Sequence, residues 1–303
     1  MKLHSNALKQ IIDSHEEFPF CLGLDPSFSA LKKLSMVELD SKKNVMEALR
    51  AFNATLLSIA KRKKMIIKPQ SGFYECWGLV GNIALHELFA NANVAGVPIL
   101  LDAKRGDIGK TLLAYNQAYI LTDSTASNFA YRESMEFPQA VTVNPFLGLD
   151  SVEPFFKYGG AFILLRTSNP DADQIQEAIT KSGETVSEVV KNEVLKNNSH
   201  NQYKGFGNVG VVVGATKQSF AKKYRQELAN TLFLVPGFGT QGGEISGIKE
   251  FFIKNENNEN VGAIINIGSS AVSQEASNWS QFENRVNDTV TVETERLLEE
   301  LNK

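Results

Sequence analysis

The chain has 303 residues, of which 43% are hydrophobic and 21% charged, with 31 Lys and Arg against 34 Asp and Glu. This composition is that of a globular protein and excludes a disordered or low-complexity chain. A formal net charge of −3 leaves no basic excess for nucleic acid or an anionic membrane surface, so any cations that matter must act locally.

Residues 1–19 carry charges throughout and contain no apolar stretch of the secretory-signal kind, so no such signal is expected. No apolar run approaches the length that spans a bilayer. A first strand is expected at 20–25, ending on Asp25. A helix pattern covers 42–61, with Val45, Leu49, Phe52, Leu56 and Ile59 at helical spacing. The second strand, 65–69, brings Lys68 to its end, and 79–92 is helical. The third strand, 99–103, is followed by a helix expected from 111 to 132. The fourth strand is 140–144, with a short helix near 152–158. The fifth, 161–165, runs into Arg166-Thr167-Ser168-Asn169-Pro170 and a long helix over 173–197. The sixth, 209–213, closes on Gly214-Ala215-Thr216 before a helix at 217–229. The seventh is 232–236, the eighth 263–267, and a last helix runs to the C-terminus.

Eight strands alternating with helical patterns imply an α/β fold, a (β/α)8 barrel forming a single domain over 1–303, rather than an open doubly wound sheet. The strands are apolar on successive residues, as parallel strands covered on both faces should be. No linker divides the chain, and the polar stretch 197–205 reads as an exposed connection.

A barrel collects its functional groups where its strands end. Those ends carry Asp25, Lys68, Asp102, Lys104, Asn144, Ser168, Gly214 and Gln241. Each has an ordinary explanation alone. Asp25 before Pro26-Ser27 and Ser168-Asn169 before Pro170 suit turns, and Lys68 can lay its stem along apolar surface. Their shared rim is what argues for a site. Its centre is Asp102-Ala103-Lys104-Arg105-Gly106-Asp107-Ile108-Gly109-Lys110-Thr111. If strand geometry persists, the period of two puts Asp102 and Lys104 on one face, with Asp107 a turn beyond. Such coupled charges are candidates for proton chemistry.

Two glycine-rich stretches follow the last strands: Pro236-Gly237-Phe238-Gly239-Thr240-Gln241-Gly242-Gly243-Glu244 and Gly268-Ser269-Ser270. Barrels often bind phosphate at these two loops through backbone N–H groups. Cys21 and Cys76 form no C-x-x-C, and His4, His15, His86 and His200 are scattered. A disulfide framework, a zinc site and a histidine-based metal site are therefore not expected, and a reducing compartment is.

The run from Asp102 to Thr111 resembles the signature of orotidine 5′-phosphate decarboxylase, in the longer subgroup reading D-A-K-R-G-D-I-G. The resemblance continues through Leu22-Gly23-Leu24-Asp25-Pro26, Ile67-Lys68-Pro69, Arg166 to Pro170, Val212 to Thr216, the seventh-strand loop and Ile265-Asn266-Ile267-Gly268, in collinear order. It implies release of CO2 from orotidine 5′-phosphate to give uridine 5′-phosphate with no metal or organic cofactor. It also implies a cytoplasmic homodimer. By the same resemblance, Lys68, Asp102, Lys104 and Asp107 form a catalytic array of alternating charge, and Lys104 stabilises and protonates C6. Asp25 and Lys68 contact the ribose, and Asp107 and Thr111 reach the partner's site. Ile108 belongs to the same substrate-binding set, Ser168 bonds the pyrimidine, and Gln241 bridges phosphate and base. Gly268 and Ser269 fall at the phosphate. There the sequence departs from the family, because Ser269 stands where an arginine is usual. Two other expectations remain open: a catalytically silent nucleotide-binding barrel, and a metal-dependent sugar-phosphate enzyme of related build.

Overall fold

The computed structural model describes residues 8–34, 38–120, 136–158, 160–199, 202–238, 245–272 and 275–303. Eight parallel strands run in chain order: β1 (Phe20–Leu24), β2 (Ile66–Pro69), β3 (Leu100–Arg105), β4 (Ala140–Val143), β5 (Gly160–Arg166), β6 (Val209–Val213), β7 (Phe233–Val235) and β8 (Ala263–Ile267). They form one sheet in the order β2-β1-β8-β7-β6-β5-β4-β3. Parallel bridges Ile67 to Ile99 and Gln70 to Asp102 join its two ends and close the barrel.

The period of two sorts each strand into a face under the helices and a face inside the barrel. Interior positions at the lower level are Cys21, Ile66, Leu100, Ala140, Phe162, Val212, Leu234 and Ile264, which share one apolar cluster. Two residues further along β2, β3, β4 and β8 stand Lys68, Asp102, Thr142 and Asn266, which line a cavity instead. On these four strands the interior thus turns from apolar to polar within one layer, while Leu164, Val212 and Leu234 keep the β5–β7 side of the cavity apolar. Outside, helix Lys42–Arg62 buries Leu49, Phe52, Leu56 and Ile59 at the expected spacing. Each such side chain contributes about 1.5–3 kcal/mol on burial.

Several helices differ from expectation. The helix after β3 spans Gly109–Tyr119 and stops at Ile120, which is extended at φ −135° and ψ 131°. The expected continuation to 132 enters residues 121–135, which lie outside the described residues. The long helix over 173–197 is two helices, Asp173–Gln176 and Val186–Asn198. Between them Thr180 bonds the Glu184 carbonyl through both its N–H and its hydroxyl, and Thr185 with Glu188 forms a capping box. Polar side chains there satisfy backbone groups in place of the helix. The helix after β6 is Gln218–Tyr224, and Arg225 beyond it turns its guanidinium onto the Thr231 carbonyl.

Helix Lys9–Glu17 has no counterpart in the expected elements. Leu8, Ile11 and Ile12 plug the amino-terminal end of the barrel. His15 holds the plug in place. Its Nδ1 donates to the Ile12 carbonyl, and its Nε2 accepts from Gly262 N at 3.2 Å, which fixes the neutral ring. Burial pulls its pKa from 6.5 down to about 4. The group is depressed, so unfolding takes up a proton between those values and stability falls as pH drops through that window. The expected loss is about 3 kcal/mol by pH 4. Urea denaturation of wild type and His15→Gln across pH 7 to 4 checks this, since the variant should lose that part of the slope.

Candidate active site

Lys68, Asp102 and Lys104 meet at the floor of the cavity. Lys68 Nζ lies 3.1 Å from Asp102 Oδ2, and Lys104 Nζ lies 2.6 Å from Asp102 Oδ1. The Lys68 and Asp102 side chains are 6% and 12% exposed, whereas Lys104 is 43% exposed. The first pair is therefore structural as well as chemical, while the second cation faces the open cavity. Asp102 Oδ1 also accepts from Thr142 Oγ1 at 2.8 Å. Burial by itself raises the Asp102 carboxyl, but the two ammonium groups and these hydrogen bonds outweigh it and hold its pKa well below the ordinary value. Burial likewise lowers Lys68, and Asp102 and Asp25 more than reverse it, so Lys68 stays charged.

Strand geometry does not carry through to Lys104. Leu101 pairs with Val141 and Arg105 with Val143, so the chain bulges between them. Lys104 has φ +49°, the left-handed region that L residues enter rarely. The expected shared face of an unbroken strand is thus replaced by a bulge that still brings the Lys104 ammonium to Asp102. The Lys104 N–H donates to Thr142 Oγ1 at 2.9 Å, so Thr142 holds both the carboxylate and the backbone of the bulge.

Asp25 lines the same cavity from the end of β1, and its Oδ1 is buried without a hydrogen-bond partner. Burial raises its pKa, with Lys68 opposing. Ser168 and Asn144 also line the cavity, which has a volume of about 1210 Å³. Gly214 lies behind Ser168. A Cβ at Gly214 would stand 2.7 Å from Ser168 N, so the β6 end must be bare for the β5 loop to sit where it does.

Asp107, Ile108 and Thr111 are not brought into this cavity. Asp107 is half-buried and accepts from the Ile108 N–H through Oδ1, while Ile108 is 61% exposed and Thr111 is exposed. Gly268 packs against Gly23, and Ser269 begins a short helix, Ser269–Val272. Gln241 lies outside the described residues. Sequence reasoning missed Thr142 and Asn266. Each is a lone polar residue in an apolar strand, at an interior position, and that signal was available. Among the described residues, no helix is long and apolar enough to cross a membrane, and no group of three or more His, Cys, Asp or Glu is placed to hold a metal ion.

A parallel (β/α)8 barrel with a lysine–aspartate–lysine array at the carboxyl ends of its strands defines an enzyme-type barrel, the site lying where barrel enzymes carry theirs. Residues 19–277 match the model of the orotidine 5′-phosphate decarboxylase / HUMPS family. The orotidine 5′-phosphate decarboxylase of Rhodopirellula baltica is 34% identical over 254 residues, covering 81% of this chain and 80% of that one. The enzyme of the same name from Haloarcula marismortui is 36% identical over 231 residues, covering 76% and 74%. In fold, Plasmodium berghei orotidine 5′-monophosphate decarboxylase matches with a TM-score of 0.70 at 18% identity, over 97% of this chain and 99% of that one. The chain belongs to the orotidine 5′-phosphate decarboxylase / HUMPS family.

Proposed function

We propose that this protein decarboxylates orotidine 5′-phosphate to uridine 5′-phosphate and CO2, as a single barrel domain without metal or organic cofactor. The observation that carries the reading is the Lys68–Asp102–Lys104 array, a buried pair with Lys104 facing the open cavity. With the substrate carboxylate set beside Asp102, two like charges are crowded together, and loss of CO2 relieves that repulsion. The C6–carboxylate bond breaks with its electron pair left on C6. Lys104 supplies a fixed positive charge to that carbon and then its proton, which solvent restores. Preorganised charges of this kind cost no reorganisation as the reaction proceeds. Lys68 keeps Asp102 ionised and, with Asp25, meets the ribose hydroxyls. The unpartnered Asp25 Oδ1 is an acceptor in want of such a donor. Ser168 bonds the pyrimidine, and the loops holding Gln241, Gly268 and Ser269 take the phosphate.

The same reading has the enzyme as a cytoplasmic homodimer in which Asp107 and Thr111 reach the partner's site and Ile108 belongs to the substrate-binding set. In support, the apolar side chains of Ile108 and Leu113, near Asp107 and Thr111 in the chain, are 61% and 49% exposed, as residues that meet a partner would be.

The test is the loss of orotidine 5′-phosphate absorbance on adding purified protein in EDTA. Turnover unaffected by the chelator is expected. Chelator-sensitive turnover of a sugar phosphate would instead favour the metal-dependent relative. The silent-binder reading is favoured by one observation, Ser269 in the usual arginine's place, and nucleotide binding without turnover would establish it. A hydroxyl with backbone N–H groups holds phosphate without the charge-assisted fork of a guanidinium. Ser269→Arg is therefore expected to lower KM by roughly tenfold, about the 1.5 kcal/mol of one charged hydrogen bond. Unchanged KM and kcat would remove this position from phosphate binding.

A further inference from the structure

The geometry points to Arg105 as the residue that positions Lys104, a role that rests on the proposed function only for what Lys104 does. Lys104 adopts φ +49° at the bulge of β3, a conformation that persists in an L residue only where its surroundings impose it. Backbone bonds fix the two sides of the bulge: Lys104 N–H to Thr142 Oγ1 at 2.9 Å, and Asn144 N–H to Arg105 O at 2.8 Å. Gly106 presses the chain onto the end of β4, since a Cβ there would lie 2.4 Å from the Asn144 carbonyl oxygen.

The Arg105 side chain supplies the remaining restraint. Its Nη1 donates back across the bulge to the Ala103 carbonyl at 3.2 Å. Its Nε donates to the Tyr119 hydroxyl at 3.3 Å, and its Nη2 pairs with Glu75. The guanidinium also lies 5.7 and 5.9 Å from the ring centroids of Tyr115 and Tyr119. One side chain thus ties the bulge to helix Gly109–Tyr119 and to the short helix Ser71–Glu75 that follows β2. The three contacts use three different nitrogens of one rigid plane, Nε, Nη1 and Nη2, whereas an ammonium offers its donors from a single nitrogen. Arg105 itself does not line the cavity, so it acts through Lys104 rather than on the substrate.

The experiment compares Arg105→Met and the milder Glu75→Gln with wild type. It measures kcat and KM for orotidine 5′-phosphate, uridine 5′-phosphate affinity by titration, and amide hydrogen exchange over residues 101–107. A displaced lysine should cost kcat roughly 30- to 100-fold in Arg105→Met. KM and product affinity should stay within about threefold, because the groups that bind the nucleotide are untouched. Glu75→Gln should lose roughly two- to fivefold in kcat, the scale of one weakened ion pair. The Lys104 amide should exchange faster in both variants while β5 and β6 keep their protection. Folded variants with wild-type kcat would overturn the proposal. So would kcat, product affinity and barrel-wide protection falling together, which is the pattern of a residue that merely supports the scaffold. If wild type leaves orotidine 5′-phosphate intact, the decarboxylase reading fails on its own. The Lys104 amide then decides, and unchanged protection in Arg105→Met overturns the positioning role.

Discussion

Lys104→Ala is expected to lower kcat/KM for orotidine 5′-phosphate by roughly 10⁴-fold or more while leaving the protein folded. Two losses combine. General acid catalysis is worth roughly 10²–10⁴-fold, and a single preorganised charge facing developing negative charge roughly 10²–10³-fold. Both fall on one ammonium, which sits 2.6 Å from Asp102 Oδ1 and is the more exposed of the two lysines on that carboxylate. Stability should change little, because Lys68 still compensates Asp102 from the buried side. The measurement is steady-state turnover with a thermal melt in parallel. A variant within tenfold of wild type would remove Lys104 from the chemistry.

Asp102→Asn is expected to produce the largest loss of stability, about 3–5 kcal/mol, because it leaves a buried ammonium without its carboxylate. Lys68 is 5% exposed and Asp102 is its ion-pair partner. The pH dependence should change as well. In wild type, the folded pKa of Lys68 lies above 10.5. Its contribution is therefore whole below 10.5 and lost as pH rises through the folded value. Asp102 is depressed below 3.8, so its contribution is present above that value and lost as pH falls through the folded one. In the variant, burial acts on Lys68 with its main opposition gone and lowers its pKa. The sign of the Lys68 effect should then reverse, with stability rising as pH climbs toward 10.5, and the contribution of Asp102 at acid pH should disappear. Urea denaturation at pH 7 and pH 10.5 reads the first change, since wild type should hold its Lys68 contribution over that range while the variant gains stability. A variant with no such gain would mean that Asp102 is not what keeps Lys68 charged. Activity should vanish with either charge state, since Asn supplies neither repulsion to the substrate carboxylate nor a counter-ion to Lys104.

Most of the barrel could be read locally. An apolar run such as Val209–Val213 or Ala263–Ile267 says strand by its own length and composition, and each appears where expected. Lys68 and Asp102 follow, because a polar residue two positions beyond an interior apolar one must face the same way. Asp25 and Ser168 were legible as strand-end residues on one rim. Within the run from Asp102 to Thr111, Asp102 and Lys104 meet Lys68 at the cavity, whereas Asp107, Ile108 and Thr111 do not line it.

Other features came from contacts between distant segments. The left-handed Lys104 depends on Thr142, Asn144, Glu75 and Tyr119, none of which is visible in the spacing of Asp102 and Lys104. The barrel plug of Leu8, Ile11 and Ile12 reads as an unremarkable charged segment until the open end of the barrel gives its apolar face something to cover. The break in 173–197 depends on which hydrogen bonds Thr180 and Thr185 find, and a helix pattern in the sequence cannot rank those against its own. Strand identity and facing direction rest on short-range sterics and the two-residue repeat, so neighbouring residues suffice to specify them. The angle of a bulge, the seat of a plug and the pKa of a buried pair are set by atoms far apart in the chain, and only packing brings those atoms together.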